Sequence, residues 1–259
     1  MLLSLLLALL PLLPSDACFA QEKKEKPPAQ AKISEEDRKL LTEAERKRAE
    51  SGIQKARRAC VRLDLPNTAP GGVGSSVIVK SGERYVLITN AHCVVGKSGA
   101  IREIDVSLPG DEIPWKEALF KARLLKADRA RDLAFYELRD PKPSTPAIEF
   151  TKEEIKTGLA VVTVGWPWGR GMDDGYPVID VGKVVGIDDT IWVDGIAVGV
   201  KGGGGEKINF GPGSSGGPLV DLDGNLVGID VKARSGEGKH FVGAIPAATV
   251  KQALEEATK

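Results

Sequence analysis

Two adjacent serines in a loop rich in glycine and proline are well suited to nucleophilic chemistry. They are Ser214 and Ser215, in the stretch GPGSSGGPLV that begins at Gly211. A serine hydroxyl attacks a carbonyl when a base takes its proton, a carboxylate orients that base, and hydrogen-bond donors meet the negative oxygen. The stretch therefore indicates acyl-transfer chemistry if the rest of the chain supplies a histidine and a carboxylate.

The candidates for the base and for its carboxylate partner are few. His92 and His240 are the two histidines of the chain: His92 follows a strand pattern in VLITNAHCVV, and His240 lies in a charged loop. Asp128 and Asp132 are alternative carboxylates in KADRARDLAFYEL, before another strand pattern. Since His92 and the two aspartates lie in one half of the chain and the serines in the other, a cleft between two halves can bring them together.

The stretch from Gly213 to Gly217 also fits the pattern G-x-S-x-G of α/β-hydrolases. That pattern has mechanical meaning only where a strand turns into a helix behind the serine. Here PLVDLDGNLVGIDV follows, in which apolar runs flank an Asp-Gly turn, and this pattern is typical of a hairpin. The context therefore argues against an α/β-hydrolase.

The elements that must position these residues are mostly short strands. From Cys60 onward, about ten segments rich in β-branched residues alternate with glycine and proline, which predicts an all-β sandwich or barrel. The segment RDPKPSTP, residues 139–146, divides the strands into two sets. The end of the chain, PAATVKQALEEATK, predicts a helix with Val250 and Leu254 on one face.

Five segments resemble, in the same order, segments of the trypsin-like serine proteases, especially the Deg/HtrA group. They are YVLITNAHCVV, RDLAFYEL, AVVTVGWPWG, GPGSSGGPLVDLDGNLVGID and FVGAIPAATVKQAL. The resemblance extends from Cys60 to about Leu254 and implies two perpendicular six-stranded antiparallel β-barrels with a catalytic cleft between them. It implies a protease domain at 59–259, with barrels at about 59–140 and 147–246 and a C-terminal helix at 246–257. Because many Deg/HtrA proteins continue into a PDZ domain and this chain stops at Lys259, we expect a peptidase domain without one.

The resemblance also implies a role for each catalytic candidate. The serine directly before Gly-Gly-Pro, Ser215, is the expected nucleophile, His92 the base and Asp132 the carboxylate that orients it. The N–H groups of Gly213 and Ser215 are the expected oxyanion hole. Ser214 is then a structural loop residue, and His240 is a solvated residue or part of a pocket rim.

The same resemblance locates the pocket for the substrate side chain before the scissile bond, the P1 residue. Because no aspartate lies at its expected base, we predict small or medium apolar P1 residues rather than Arg or Lys. The residues expected to bind substrate are Asn209, Phe210, Ile229, Val231, Ala233 and Phe241.

These expectations describe a secreted or periplasmic serine endopeptidase acting on unfolded or extracytoplasmic proteins. The alternative is a catalytically silent member of the fold that binds or scaffolds. No cofactor or metal is expected, and the partners are polypeptide substrates. Lys plus Arg equals Asp plus Glu at 36 each, so charge does not favour nucleic acid. A trimer, common among Deg/HtrA proteins, is not predicted, because the N-terminal segment here differs.

The N-terminal segment predicts export. Residues 1–20 contain an apolar run followed by Cys-Phe-Ala, typical of a cleaved signal peptide, with an uncleaved or lipidated anchor as the alternatives. Residues 21–58 read as a charged tether and a helix over 34–52, expected to be a solvated spacer, with a partner-binding helix as the alternative. No stable membrane span is expected after signal removal, and export leaves Cys60 and Cys93 either paired in a disulfide or buried as free thiols.

Overall fold

The computed structural model describes residues 33–65, 72–109, 120–169, 176–196, 210–236 and 239–259, so the predicted signal peptide lies outside the described residues. The helices are α1 (Glu35–Leu40), α2 (Glu43–Ala59), α3 (Ala91–Val94) and α4 (Ala247–Thr258). The strands are β1 (Cys60–Asp64), β2 (Val73–Ser81), β3 (Arg84–Thr89), β4 (Val95–Gly96), β5 (Gly99–Ala100), β6 (Glu103–Val106), β7 (Phe120–Asp128), β8 (Leu133–Leu138), β9 (Ala160–Gly165), β10 (Val178–Ile187), β11 (Ile191–Asp194), β12 (Pro218–Val220), β13 (Leu226–Gly236) and β14 (Lys239–Pro246).

Two six-stranded antiparallel sheets form the body of the protein. The first has the strand order β1-β2-β3-β8-β7-β6, and the second closes into a barrel in the order β10-β11-β14-β13-β12-β9. The short strands β4 and β5 form a separate pair. The prediction of an all-β protein with two six-stranded barrel-like sheets and a C-terminal helix is confirmed.

The segment between β8 and β9 joins the two sheets. The N–H of Ile148 donates to the Ile78 carbonyl of β2, and the N–H of Thr151 donates to the Leu226 carbonyl at the start of β13. Isolated bridges at the same places pair Ile148 with Val79 and Phe150 with Leu226. Because successive residues of this segment bond to different sheets, the segment holds the edges of the two sheets together.

The buried apolar residues fall into three clusters. One fills the first sheet and includes Leu87 and Cys93, and one fills the second barrel and includes Val161 and Phe210. The third, which includes Cys60 and Trp166, also contains residues of α2 and α4. The helices therefore belong to the folded body, and α4 buries Val250 and Leu254 as its pattern predicts.

The prediction of one solvated helix over residues 34–52 is wrong in two ways. The structure has two helices, because Thr42 caps α2 in a reciprocal capping box with Glu45. Gly52 does not end the helix, which continues to Ala59 and buries Ile53 and Ala56 against the core. A Cβ on Gly52 would overlap the Leu222 carbonyl oxygen, so glycine here permits close approach to the turn between β12 and β13.

The predicted alternative of a disulfide between Cys60 and Cys93 is also wrong, because both are free thiols in the structure. Cys60 begins β1, and its thiol donates to the Val164 carbonyl at 3.5 Å. The Cys93 thiol donates to the Ser215 carbonyl at 3.8 Å. The two side chains lie in different core clusters, so they do not meet.

Among the helices that the structure describes, none has the length and apolar character needed to cross a membrane.

Candidate active site

His92 and Asp132 form a close pair at the ends of elements in the first sheet. His92 lies in the single-turn helix α3, directly after β3, and Asp132 lies directly before β8, which pairs with β3. His92 Nδ1 is 2.7 Å from Asp132 Oδ2, and the His92 backbone N–H donates to Asp132 Oδ1 at 2.9 Å. Both carboxylate oxygens are therefore committed to His92, which fixes the imidazole with its Nε2 directed away from the carboxylate.

The backbone around Asp132 is held in an uncommon conformation. Its φ of 55° lies in the left-handed region, which aspartate tolerates better than most residues. The Asn90 side-chain amide donates to the Asp132 carbonyl at 3.0 Å, which ties this turn to the histidine turn. Asp128, the competing carboxylate, instead accepts the N–H groups of Ala130 and Arg131, both at 3.1 Å. The structure therefore brings Asp132 to His92 and keeps Asp128 as the cap of its own turn.

The environment of His92 favours its protonated form. The hydrogen bond to the Asp132 carboxylate, followed by the neighbouring Cys93 side chain, raises the pKa of His92 above its ordinary value of about 6.5. Partial burial acts in the opposite direction but is outweighed. Such a histidine accepts a proton readily once it is neutral, which is the property required of a general base.

The serine loop, residues 211–217, is held by hydrogen bonds to almost all of its peptide groups. The Pro212 carbonyl accepts from the Trp168 N–H at 2.5 Å, and the Gly213 carbonyl accepts from the Ser75 hydroxyl at 2.7 Å. The Ser214 and Ser215 carbonyls accept from the N–H groups of Gly217 at 3.0 Å and of Ser75 at 2.9 Å. Within the loop, the Ser214 N–H donates to the Gly211 carbonyl, and the Gly216 N–H donates to the Asp230 carbonyl.

Two N–H groups of this loop take no part in these hydrogen bonds. Among the described residues, neither Gly213 nor Ser215 donates its N–H to a protein acceptor. A trans peptide points its N–H opposite to its carbonyl, so the bonds on the Pro212 and Ser214 carbonyls fix the directions of these two N–H groups. Gly213 has φ 100°, and a Cβ on it would lie 2.5 Å from the Trp166 carbonyl oxygen. Two free N–H groups flanking a serine can bind an oxyanion.

The serine loop touches the histidine turn. The Cys93 thiol contacts the Ser215 carbonyl at 3.8 Å, and a Cβ on Gly216 would lie 3.2 Å from the Asn90 nitrogen. The Ser215 hydroxyl itself donates to the Val231 carbonyl at 3.5 Å. The loop of Ser215 and the turn of His92 thus meet although they belong to different sheets, and the Ser215 hydroxyl is directed toward β13 in this conformation.

Comparison with known proteins identifies the family. A family model described as the trypsin-like peptidase domain matches residues 74–229, more than half of the chain. The chain belongs to the trypsin-like peptidase family. The matched residues contain His92, Asp132 and Ser215.

Several relatives of this trypsin-like peptidase carry the names of Deg/HtrA proteases. A Bacillus subtilis protein named serine protease Do-like HtrA is 32% identical over 74% of this chain and 41% of its own length. A Haemophilus influenzae protein named probable periplasmic serine protease do/HhoA-like is 30% identical over 64% of this chain and 32% of its own length. The chain thus spans between about a third and two fifths of these relatives.

Solved structures share the fold of this trypsin-like peptidase. The HtrA-type protease AlgW with tripeptide matches with TM-score 0.59 and 26% identity, over 80% of this chain and 62% of that one. A serine endoprotease from Yersinia pestis matches with TM-score 0.60 over 81% of this chain and 66% of that one, at 23% identity.

The residues predicted to bind substrate have different environments. Phe210 is buried in the core of the second barrel, and Ile229 is fully buried in the cluster shared with the helices. Neither side chain is exposed in this conformation, and their role in binding substrate stays a prediction. Val231 and Phe241 are half-buried, Ala233 is exposed, and Asn209 lies outside the described residues.

A buried carboxyl group lies behind the serine loop of this peptidase. The Asp230 backbone makes two hydrogen bonds to the loop. Its carbonyl accepts from the Gly216 N–H and its N–H donates to the Gly217 carbonyl, both at 2.8 Å. Its side chain is fully buried and hydrogen-bonds to the Thr163 hydroxyl. Burial raises the pKa of Asp230 to about 8, although the Thr163 hydroxyl partly opposes this shift.

Sequence reasoning missed Ser75, Trp168 and Asp230 as neighbours of the serine loop. Their signal in the sequence is weak, because Ser75 and Asp230 are polar residues inside apolar strand patterns and Trp168 lies in WPWG, which has no pattern that indicates a contact with the serines. Trp168 has φ 51°, and its ring covers Gly211 so closely that a Cβ there would overlap it. These residues are identified by contacts between segments distant in sequence.

Proposed function

We propose that this chain is a serine endopeptidase that cleaves peptide bonds through an acyl-enzyme on Ser215. The observation that carries the proposal is the pair of free N–H groups on Gly213 and Ser215, in a loop whose other peptide groups are mostly bonded. The loop lies against the turn that holds His92 beside Asp132. A binding module has no chemical need for this combination.

Acylation begins when the Ser215 hydroxyl leaves the Val231 carbonyl and turns to His92. Its oxygen forms a bond to the scissile carbonyl carbon, its proton passes to His92 Nε2, and the carbonyl electron pair moves onto the oxygen. The N–H groups of Gly213 and Ser215 stabilise that oxyanion, and Asp132 stabilises the imidazolium. When the tetrahedral centre collapses, the carbon–nitrogen bond breaks and His92 gives its proton to the leaving amine.

Deacylation repeats these steps with water as the nucleophile. Neutral His92 takes a proton from the water molecule as its oxygen attacks the ester carbonyl. Collapse of the second tetrahedral centre breaks the bond to Ser215 Oγ, which regains its proton from His92. The two steps together therefore use water, the three side chains and the two N–H groups of the oxyanion hole.

The edge of β13 beside Ser215 that pairs with no other described strand is the proposed binding site for the substrate chain. β12 pairs with β13 only as far as Ile229, so the residues from Val231 onward have one edge free of β12. An extended peptide can add to such an edge through backbone hydrogen bonds. Half-buried Val231 and Phe241 are consistent with an apolar P1 residue.

We propose that the protein is exported and acts on unfolded or extracytoplasmic polypeptides. The predicted signal at residues 1–20 supports export, as do relatives named periplasmic from Haemophilus influenzae and Brucella suis. A cleft at the meeting of two sheets that receives substrate as an extended strand suits chains without stable structure.

Digestion of denatured casein by the purified chain tests this proposal. Wild type should degrade casein, with cleavage mapped by mass spectrometry mainly after small or medium apolar residues. Ser215→Ala and His92→Ala should each lose activity by at least about a thousandfold, because the triad acts as a unit.

His240→Ala is the matched control, since His240 is exposed and its ring hydrogen-bonds to the Ser235 hydroxyl at 2.8 Å. It should retain wild-type activity. Casein left intact by the wild type would favour the catalytically silent alternative, and cleavage mainly after Arg or Lys would contradict the P1 preference.

A further inference from the structure

Ser75 joins the first sheet to the serine loop through its backbone N–H and its hydroxyl. Its N–H donates to the Ser215 carbonyl at 2.9 Å, and its hydroxyl donates to the Gly213 carbonyl at 2.7 Å. The hydroxyl oxygen also accepts from the Trp166 N–H at 2.9 Å. A serine hydroxyl has a single proton to donate, so this arrangement commits it to Gly213.

The Ser75 backbone is itself fixed in β2. The Thr89 hydroxyl donates to the Ser75 carbonyl at 2.7 Å, and Ser75 pairs with Arg62 of β1. The residue is fully buried, so no water competes for its bonds. The serine loop is thus anchored to a rigid strand of the other sheet.

The Gly213–Ser214 peptide lies between the two peptides that carry the free N–H groups. Glycine at φ 100° has no Cβ to restrict rotation, so the orientation of this peptide depends on its two hydrogen bonds. The Ser214 N–H donates to the Gly211 carbonyl within the loop, and the Ser75 hydroxyl, which donates to the Gly213 carbonyl, ties the peptide to β2. Rotation about the Gly213 backbone would misdirect the N–H groups on either side of it. The Ser75 hydroxyl is the one described donor to the Gly213 carbonyl.

We propose that Ser75 is a positioning residue whose hydroxyl fixes the Gly213–Ser214 peptide, so that the Gly213 and Ser215 N–H groups converge on the oxyanion. The inference rests on the proposed function for its catalytic consequence. A side chain of the first sheet then orients the oxyanion hole, although both N–H donors of that hole belong to the second sheet.

Ser76 provides a matched control for Ser75. It is the next residue of β2, is also fully buried, and its hydroxyl donates to the Val61 carbonyl of β1 at 3.1 Å. Because successive side chains of a strand point to opposite faces, Ser76 faces away from the serine loop. Ser76→Ala removes a buried hydroxyl and its bond to a carbonyl without touching the loop.

Kinetics of a peptide substrate and affinity for a peptide aldehyde distinguish the two variants. The aldehyde forms a hemiacetal with Ser215, in which the Oγ–carbon bond forms, the proton passes to His92 and the former carbonyl oxygen occupies the oxyanion hole. Ser75→Ala should lower kcat by about tenfold or more with little change in KM, and weaken aldehyde binding by a similar factor. Ser76→Ala should change neither by more than about twofold, and a similar loss in both variants would overturn the inference.

Amide hydrogen exchange gives a readout that does not depend on activity. Exchange in residues 211–217 should be faster in Ser75→Ala than in Ser76→Ala, while residues of β14 exchange alike in both. Equal exchange of the loop would overturn the inference even if the protease is active. If Ser75→Ala does not fold, Ser75→Cys keeps the buried volume with a weak donor and takes its place.

A wild type that neither cleaves peptide nor binds the aldehyde would contradict the proposed function, and the exchange experiment would still decide whether Ser75 fixes the loop.

Discussion

At the scale of single residues, His92 and Asp132 are coupled through two hydrogen bonds that set the proton affinity of the base. The carboxylate holds the imidazole by Nδ1 and the backbone N–H, and its hydrogen bond to the ring raises the pKa of His92. The proposed mechanism requires neutral His92, so kcat/KM should rise with pH through that raised pKa. The acid limb of the wild-type profile should therefore lie above pH 6.5.

Asp132→Asn should shift this limb to lower pH. The amide carries no charge to stabilise the imidazolium, so the pKa of His92 falls toward its ordinary value. The activity that remains should be lower by about 10⁴-fold, as for the same substitution in the chymotrypsin-type triad, because the favoured tautomer is lost. A pH profile of peptide hydrolysis measures both effects, with Asp128→Asn as a control that should leave the limb in place. An acid limb that does not move in Asp132→Asn would show that the carboxylate does not raise the pKa of His92.

Asp230 predicts a second pH dependence, in stability rather than in rate. Its pKa is raised to about 8 in the folded protein by burial, against about 3.9 for an unfolded aspartate. The folded state therefore holds the proton more tightly, and this contribution to stability is full below pH 3.9 and is lost as pH rises through 8.

Asp230→Asn should remove that dependence, because an amide needs no proton to be neutral. The free energy of unfolding of the variant, measured in urea at pH 5, 7 and 9, should gain on the wild type as the pH rises. Comparison at each pH cancels the titration of His92, which both proteins share. A difference between the two proteins that is constant with pH would contradict an uncharged Asp230 in the native state.

At the scale of elements, α2 is an integral part of the fold that packs on the turn between β12 and β13. Gly52 lies against the Leu222 carbonyl, and Arg48 forms ion pairs with Glu153 and Asp223, both at 2.7 Å. The ion pairs are exposed and contribute little, so close packing at Gly52 is the larger effect.

Gly52→Ala should lower the free energy of unfolding by about 1–3 kcal/mol, although alanine is the better helix former by about 1 kcal/mol. The added methyl group would overlap the Leu222 carbonyl, so the helix and the turn must move apart. Ser51→Ala, at an exposed position of the same helix, should change it by less than about 0.5 kcal/mol. Urea denaturation of both variants measures this, and a Gly52→Ala protein as stable as wild type would refute the close packing.

The elements also show where sequence patterns succeed and fail. The strands and α4 were predicted because β-branched runs and helical spacing of Val250 and Leu254 are local signals. The burial of α2 was missed because Ile53 is the one large apolar residue of its buried face, and the alanine and glycine around it do not distinguish that face from a solvated one in a hydropathy pattern. Its break at Thr42 was missed because Ser34 offered a similar capping signal.

At the scale of the whole molecule, the candidate site exists because two sheets meet. The His92–Asp132 pair belongs to the first sheet and the serine loop to the second. No local sequence pattern therefore predicts the distance between the pair and the loop. The sequence predicted these residues through a family resemblance, whereas Ser75 and Asp230 required the contact between sheets to be seen. A strand pattern likewise does not tell which core a buried side chain enters, and Phe210 and Ile229 lie in different clusters.

Covalent labelling of the full chain by a fluorophosphonate tests the central claim most directly. Ser215 Oγ should form a bond to phosphorus with loss of fluoride, its proton passing to His92, so the intact mass rises by one adduct. Peptide mapping should locate that adduct on Ser215, and Ser215→Ala should not label. No adduct on the folded wild type, or an adduct on Ser214, would contradict Ser215 as the nucleophile of a serine endopeptidase.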